Sequence, residues 1–261
     1  TSGFARLGLP LGSGFRAVGG GRLARGTDYG LLFLPTAGVE WQDHELPWKP
    51  GLRLGWTRGF RAPTINELYF PMPAANPDLE EETLDSVELA GTVRRGLFTG
   101  ELVLFRLHGR DAIVRQGPPP PFRIANEGDY RHSGVEAIAS LGNEKYGFRI
   151  GGAYLDHEGI SPGAFRTRFI WSAYAGSGPL PPEGTEWKVR LRGESVKDLW
   201  GQPGAKSHKE DFTTLDLWGS LGLGSLTGGR AEVELTGGIE NLTDADWYEI
   251  GNLGAPGRAG W

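Results

Sequence analysis

The 261-residue chain has no cysteine, so neither a disulfide framework nor a thiolate metal site is open to it. It has one methionine and only five histidines, and these are scattered at 44, 108, 132, 157 and 208. The triplet Asp156-His157-Glu158 sends adjacent side chains to opposite faces if extended, and it reads as a solvated loop tip rather than as metal ligands. No G-x-S-x-G elbow, G-x-x-x-x-G-K-[ST] loop or H-E-x-x-H pair is present, so the expectation is a protein that is not an enzyme, with no catalytic residue, metal or cofactor. A basic excess is missing too: the formal charge is −5, which argues against a nucleic-acid partner. No run of 18 apolar residues exists, which leaves out a transmembrane helix. The chain starts at Thr1 with no leader in front, and it reads as a fragment or a processed chain.

What is present is glycine, proline and aromatic rings. The 43 glycines and 18 prolines approach a disordered composition, but nine tryptophans, twelve phenylalanines and seven tyrosines oppose that reading. The dominant local signal is alternation. Leu52, Leu54 and Trp56 alternate with Arg53, Gly55 and Thr57; Val87, Leu89 and Val93 with Glu88, Thr92 and Arg94. Trp187, Val189 and Leu191 alternate with Lys188, Arg190 and Arg192; Leu215, Leu217 and Leu221 with Asp216, Trp218 and Ser220; Val233, Leu235 and Ile239 with Glu232, Glu234 and Glu240. One apolar and one charged face describes a soluble sheet with a wet side, or a barrel with a lipid side and a watery lumen. Residues 1–34 are the least readable: Gly19-Gly20-Gly21 and the leucines at 31, 32 and 34 suggest two or three irregular strands with unassigned faces. Leu102 to Phe105 is apolar throughout, and its faces stay open.

Connections alternate in length along the chain. Residues 95–99, 142–146 and 225–229 are short; 59–91, 116–122, 196–212 and 241–256 are long, and the prolines at 63, 71, 73 and 77 rule out a regular element across most of 59–91. Short turns on one side and long loops on the other suit an up-and-down outer-membrane barrel better than a Greek-key sandwich. The strands read as roughly 9–11 residues each, enough to cross a bilayer at a tilt.

Four segments carry a family resemblance. The first comprises Arg61-Ala62-Pro63, Glu67-Leu68, Asn76-Pro77-Asp78-Leu79, Glu82-Thr83 and Val87-Glu88-Leu89. The second is Ile124 to Gly128 followed by Ser133-Gly134-Val135-Glu136; the third, Gly238-Ile239-Glu240-Asn241-Leu242-Thr243-Asp244 followed by Trp247-Tyr248; the fourth, Pro256-Gly257-Arg258. In this order they resemble the TonB-dependent outer-membrane receptors, in which the first marks a large outward loop, the second a descending strand, and the last two the approach to the final strand. The chain departs from the pattern at Glu81, where proline is usual, at Ala90, where glycine is usual, and at Thr243, where phenylalanine is usual. The resemblance covers residues 36–261.

The resemblance implies an all-β, antiparallel transmembrane barrel of about 22 strands with a plugged lumen. Roughly 11–13 strands are legible here by the strand length a bilayer demands, so 1–261 reads as about half such a barrel domain, with plug and TonB box absent and the last strand cut. It further implies a receptor in the bacterial outer membrane for TonB-dependent transport of a scarce ligand, most often an iron–siderophore chelate, sometimes cobalamin. Partners would be outer-membrane lipid, the chelate, and TonB through the plug. Two other readings are a passive pore or structural barrel, and a soluble β-sandwich carbohydrate-binding module. Tyr69, Phe70 and Trp200 are candidate ligand contacts in outward loops, or else interface aromatics. Arg53, Arg94, Lys188, Arg190, Arg192, Glu232, Glu234 and Glu240 are expected to face the lumen, where arginine–glutamate pairing competes with a role in holding an anionic chelate. The acidic run Asp78 to Glu82 reads as a solvated loop flank before a calcium site.

Overall fold

The computed structural model describes residues 1–26, 29–69, 75–116, 123–143, 145–158, 167–176, 185–200, 209–223, 233–246, 248–250, 253–254 and 259–260. In chain order the elements are β1 (Ser2–Gly12), β2 (Phe15–Arg25), β3 (Leu31–Gln42), β4 (Gly51–Arg61), α1 (Ile65–Tyr69), β5 (Glu82–Arg95) and β6 (Phe98–Arg110). Then come β7 (Ile113–Gln116), β8 (Arg123–Asn126), β9 (Tyr130–Gly142), β10 (Tyr146–Glu158), β11 (Thr167–Gly176), β12 (Thr185–Trp200), β13 (Lys209–Leu223) and β14 (Glu234–Glu240). Three short strands follow: β15 (Tyr248–Ile250), β16 (Leu253–Gly254) and β17 (Ala259–Gly260).

Thirteen strands form one sheet in the order β1-β2-β3-β4-β5-β6-β9-β10-β11-β12-β13-β14-β17, the up-and-down order in which chain neighbours are sheet neighbours. The pairs β7–β8 and β15–β16 stand apart as two-stranded sheets. Two compact units divide the chain: Thr1–Thr92, Val103–Val135 and Asp156–Ser161 in the first, Val93–Leu102, Glu136–Leu155 and Pro162–Trp261 in the second.

In the first unit the register makes the two faces explicit. Val39 lies opposite Leu54 and Ala37 opposite Trp56; Leu54 in turn faces Leu89, and Trp56 faces Val87. The other face carries Glu40 opposite Arg53, and Thr36 opposite Thr57. The second unit repeats the pattern, with Leu217 opposite Ile239 and Leu221 opposite Leu235 on one face, and Arg192 opposite Asp216 on the other. The apolar faces are not covered: Leu52, Leu54, Leu104 and Leu235 are each about half exposed. Leaving half of such a side chain in water forgoes roughly 1 kcal/mol, and a row of them makes an uncovered apolar surface of the kind that meets a partner or a membrane.

The buried hydrophobic cluster lies elsewhere. Leu68 of α1, Leu79 and Ile124 of β8 bury together, with Ile113 packed against them, so the small core belongs to the long connections rather than to the sheet.

Several expectations need correction. Residues 1–25 form two regular strands whose one register shift falls between Pro10 and Gly12. Gly20 is required there, because a side chain would collide with the Ala5 carbonyl of β1. The intervening residues Ser13 (φ 50°) and Gly14 (φ 80°) both take left-handed conformations, as a tight hairpin with matching twist demands. β5 begins at Glu82 rather than near Val87, and the connection before it holds the helix α1. Asp156-His157-Glu158 is not a loop tip, because β10 runs through it. β12 continues to Trp200 and β13 starts at Lys209, which shortens the expected loop at 196–212. Ile124 to Gly128 does not lead straight into the descending strand; Ile124 to Asn126 sits in the β7–β8 side hairpin, and β9 starts at Tyr130. Leu102 and Leu104 are exposed and alternate with half-buried Val103 and Phe105, which gives β6 its faces.

Candidate functional site

The long connections gather at one end of the first unit. Residues 62–81 join β4 to β5, and 111–129, with the β7–β8 hairpin, join β6 to β9. At its other end β5 turns back into β6 through residues 96–97.

Local chemistry starts the first loop. Pro63 cannot extend β4, and Thr64 caps the helix behind it. The Thr64 hydroxyl accepts from the Glu67 amide at 3.3 Å, while Glu67 Oε2 accepts from the Thr64 amide at 2.7 Å and from its hydroxyl at 3.0 Å. This reciprocal capping box follows from the T-x-x-E spacing. Arg61, the last residue of β4, donates to both Glu67 oxygens at 3.2 Å and to Glu82 Oε2 at 3.1 Å. Tyr130, the first residue of β9, donates to the other Glu82 oxygen at 2.7 Å. Three strand ends and a helix thus meet on two carboxylates. Burial opposes the charge on Glu67, but the Thr64 amide, the Thr64 hydroxyl and the Arg61 guanidinium outweigh it, and its pKa lies below the ordinary carboxylate value.

The two long connections are also stitched to each other. The Asn76 amide side chain donates to the Ile124 carbonyl at 3.0 Å. Asn126 accepts from the Glu80 amide at 2.8 Å and donates to the Glu80 and Asp111 carbonyls, each at 2.9 Å. These bonds satisfy backbone groups that a loop would otherwise leave to water.

The described residues among those expected in the lumen fall on the charged faces of their strands. Arg53 pairs with Glu88 at 3.7 Å. Arg192 reaches Glu194 at 2.6 Å and Asp216 at 3.9 Å, and Arg168 shares Glu194 at 2.7 Å. Lys188 and Arg190 lie opposite Ser220 and Trp218, and Glu234 and Glu240 opposite Gly222 and Ala259. Arg94 has the Glu88 parity near the end of β5. Glu232 lies outside the described residues. Within the second unit, Glu136, Arg149, Arg168 and Ser172 border a hollow of about 330 Å³ on that face.

The candidate aromatics are not brought together. Tyr69 ends α1 and is 61% exposed. Phe70 and the Trp200 side chain lie outside the described residues. Among the described residues, no group of three metal-ligating side chains occurs; Glu82, at the end of the acidic run, is held by Arg61 and Tyr130. Sequence reasoning missed Glu82, Tyr130, Asn76 and Asn126 as a set. Only the T-x-x-E box had a local signal; the bonds that tie Glu82, Tyr130, Asn76 and Asn126 to other elements join residues 15–48 apart.

A family model described as TonB dependent receptor-like, beta-barrel matches residues 1–249, farther toward the N-terminus than the 36–261 span of the motif resemblance. No curated protein matches the chain. Among solved structures, the siderophore receptor PirA from Pseudomonas aeruginosa is similar at 17% identity and a TM-score of 0.70, over 99% of this chain and 44% of that one. The copper transporter OprC is similar at 17% identity and a TM-score of 0.74, over 98% and 46%. The FrpB iron transporter from Neisseria meningitidis (F3-3 variant) is similar at 16% identity and a TM-score of 0.69, over 98% and 43%. At such identities the likeness is one of fold, and the chain spans less than half the length of each of these structures.

Proposed function

The chain belongs to the TonB-dependent receptor β-barrel family, and from that premise we propose that it is part of an outer-membrane receptor for the TonB-driven uptake of a scarce metal chelate, most often an iron–siderophore complex. The single observation carrying this reading is the braced loop end, where Arg61, Glu67, Glu82 and Tyr130 fix the roots of two long connections. A receptor needs such preorganised loops, because ordering them on binding would consume affinity. In this reading residues 1–261 form one barrel domain, the apolar faces meet lipid, and the faces bearing Arg53, Arg94, Lys188, Arg190, Arg192, Glu234 and Glu240 line the lumen, as would Glu232. Tyr69 and Phe70 are the proposed outward-loop contacts, together with Trp200 at the end of β12. Siderophore, iron and copper proteins among the similar structures favour a metal-bearing cargo and leave its identity to experiment.

The test is growth of a strain lacking the gene that carries this segment, under iron limitation, with single iron–siderophore complexes supplied. Restoration by the complete gene but not by a TonB-deficient host is expected. A cobalamin-limited arm separates the corrinoid alternative. Ligand-free ion conduction by the purified full-length protein in planar bilayers, with no growth phenotype on any chelate, would replace uptake with a passive pore.

A further inference from the structure

The apolar face of the first unit ends in a cluster of arginines. On β4 the sequence of that face is Leu52, Leu54, Trp56, then Arg58; on β5 it is Leu89, Val87, then Asp85. On β6 it is Leu104, then Arg106, His108 and Arg110. Arg58 binds Asp85 with both arms, Nε to Oδ1 at 2.9 Å and Nη2 to Oδ2 at 3.0 Å, and Arg110 Nη2 donates to the same Oδ2. His108 turns instead to Asp129 at 3.3 Å. Two guanidiniums, Arg58 and Arg110, therefore share one carboxylate just beyond the apolar row on the side of the long connections, and Arg106 lies on the same face of β6 without touching it.

The cluster is under-neutralised and still open. The Arg58 and Arg110 side chains are 38% and 43% exposed, so donors not used on Asp85 remain reachable. Arg110 Nε is buried without a hydrogen-bond partner among the described residues. Arg106 is exposed and has no ion pair among them. An ion pair kept only for stability needs one guanidinium per carboxylate, and the surplus is unexplained by the fold.

We propose that Arg58, Arg106 and Arg110 bind the phosphate of a membrane lipid headgroup whose acyl chains lie along Leu52, Leu54, Trp56, Val87, Leu89 and Leu104. The proposal rests on the membrane reading of this face. Charge complementarity selects the occupant: planar guanidinium forks match phosphate oxygens, and a phospholipid alone supplies both the anion and the chains for the adjoining apolar row. A soluble phosphate would satisfy only the arginines, and a protein partner would need to cover a face that extends into the bilayer.

The test is native mass spectrometry of the full-length protein carrying this segment, released from micelles doped with lipid A, whose phosphates carry net negative charge, or with phosphatidylcholine, whose phosphate is offset by its own choline cation. The wild type should retain lipid A preferentially, and Arg58→Gln with Arg110→Gln should reduce retention about tenfold, the scale of one or two charged hydrogen bonds. Asp85→Asn, which strips the competing carboxylate, should raise retention. Heat-modifiable gel mobility confirms that each variant folds. Inorganic phosphate at millimolar concentration should displace little lipid; full displacement would mean that the cluster is a free-anion site. Equal retention of both lipids by wild type, or unchanged retention in the double variant, overturns the proposal. A lipid-soluble quencher that fails to reach a spin label at position 54 would instead overturn the membrane reading itself, so the two failures are distinguishable.

Discussion

Tyr130 donates its phenolic hydrogen to Glu82 at 2.7 Å, so the first residue of β9 is fastened to the first residue of β5. The bond joins positions 48 apart in sequence. The Glu82 carboxylate also receives Arg61 from β4, so the start of β5 is the common acceptor for two other strand ends.

Removing that acceptor should loosen the loop and spare the sheet. Tyr130→Phe deletes one donor and should cost about 1 kcal/mol locally; Glu82→Gln weakens the charged bonds and should cost about 2. Hydrogen exchange of the full-length protein should then speed up about fivefold or more in residues 62–69 and 75–81, with β12 unchanged. An increase spread evenly over all strands would mean that Glu82 serves the barrel rather than the loop.

Acid should release the same loop at its helix. Glu67 holds its proton less tightly when folded than when unfolded, because Thr64 and Arg61 favour the carboxylate. A depressed folded value contributes order that is fully present above the unfolded pKa, about 4.3, and is lost as pH falls through the folded value. Proteolysis with an acid-active protease should therefore cut residues 62–69 faster below that range, while at neutral pH the segment resists. Glu67→Gln should be loose at both pH values; if its profile matches the wild type, the titrating group lies elsewhere.

The strand pattern was legible wherever side chains marked the faces, as with Leu54 against Arg53. Gly19-Gly20-Gly21 hid β2, since three residues without side chains show no alternation, although the close approach to Ala5 is the reason for one of them. The helix α1 was hidden by its five-residue length beside Pro63. Asn126 was readable as part of a motif, but not as the bridge between Glu80 and Asp111, because such contacts depend on chain separations that no local rule encodes. The arginines around Asp85 were missed for a related reason: Arg58 shares the parity of Leu54 and Trp56, and alternation alone does not mark where an apolar face ends.

Topology is open to a direct check. Protease added to intact cells making the full-length protein should cut within residues 62–81 and 201–208, while 96–97 and 143–145 stay protected. The reverse pattern would invert the barrel and defeat the receptor reading.

The two faces of β14 give the sharpest test of the membrane. Leu235 lies opposite Leu221, and Ile239 opposite Leu217, on the uncovered apolar face; Glu234, Thr236 and Glu240 occupy the other. A lipid-facing glutamate near the midplane would have neither water nor a partner, so this strand has one workable orientation. An arginine on the lipid face near the midplane costs about 2–4 kcal/mol, whereas lumenal changes mainly tune selectivity. Leu235→Arg in the full-length protein should therefore lower the folded yield sharply, and Glu234→Arg should leave it nearly intact. Because a soluble sandwich would also reject Leu235→Arg, the substitutions need a second readout. Spin labels at 233, 235 and 239 should be reached by a lipid-soluble quencher, and labels at 234 and 240 by a water-soluble one. Protection of the odd positions from both quenchers would place them in a protein core, and the outer-membrane reading would fall with that result.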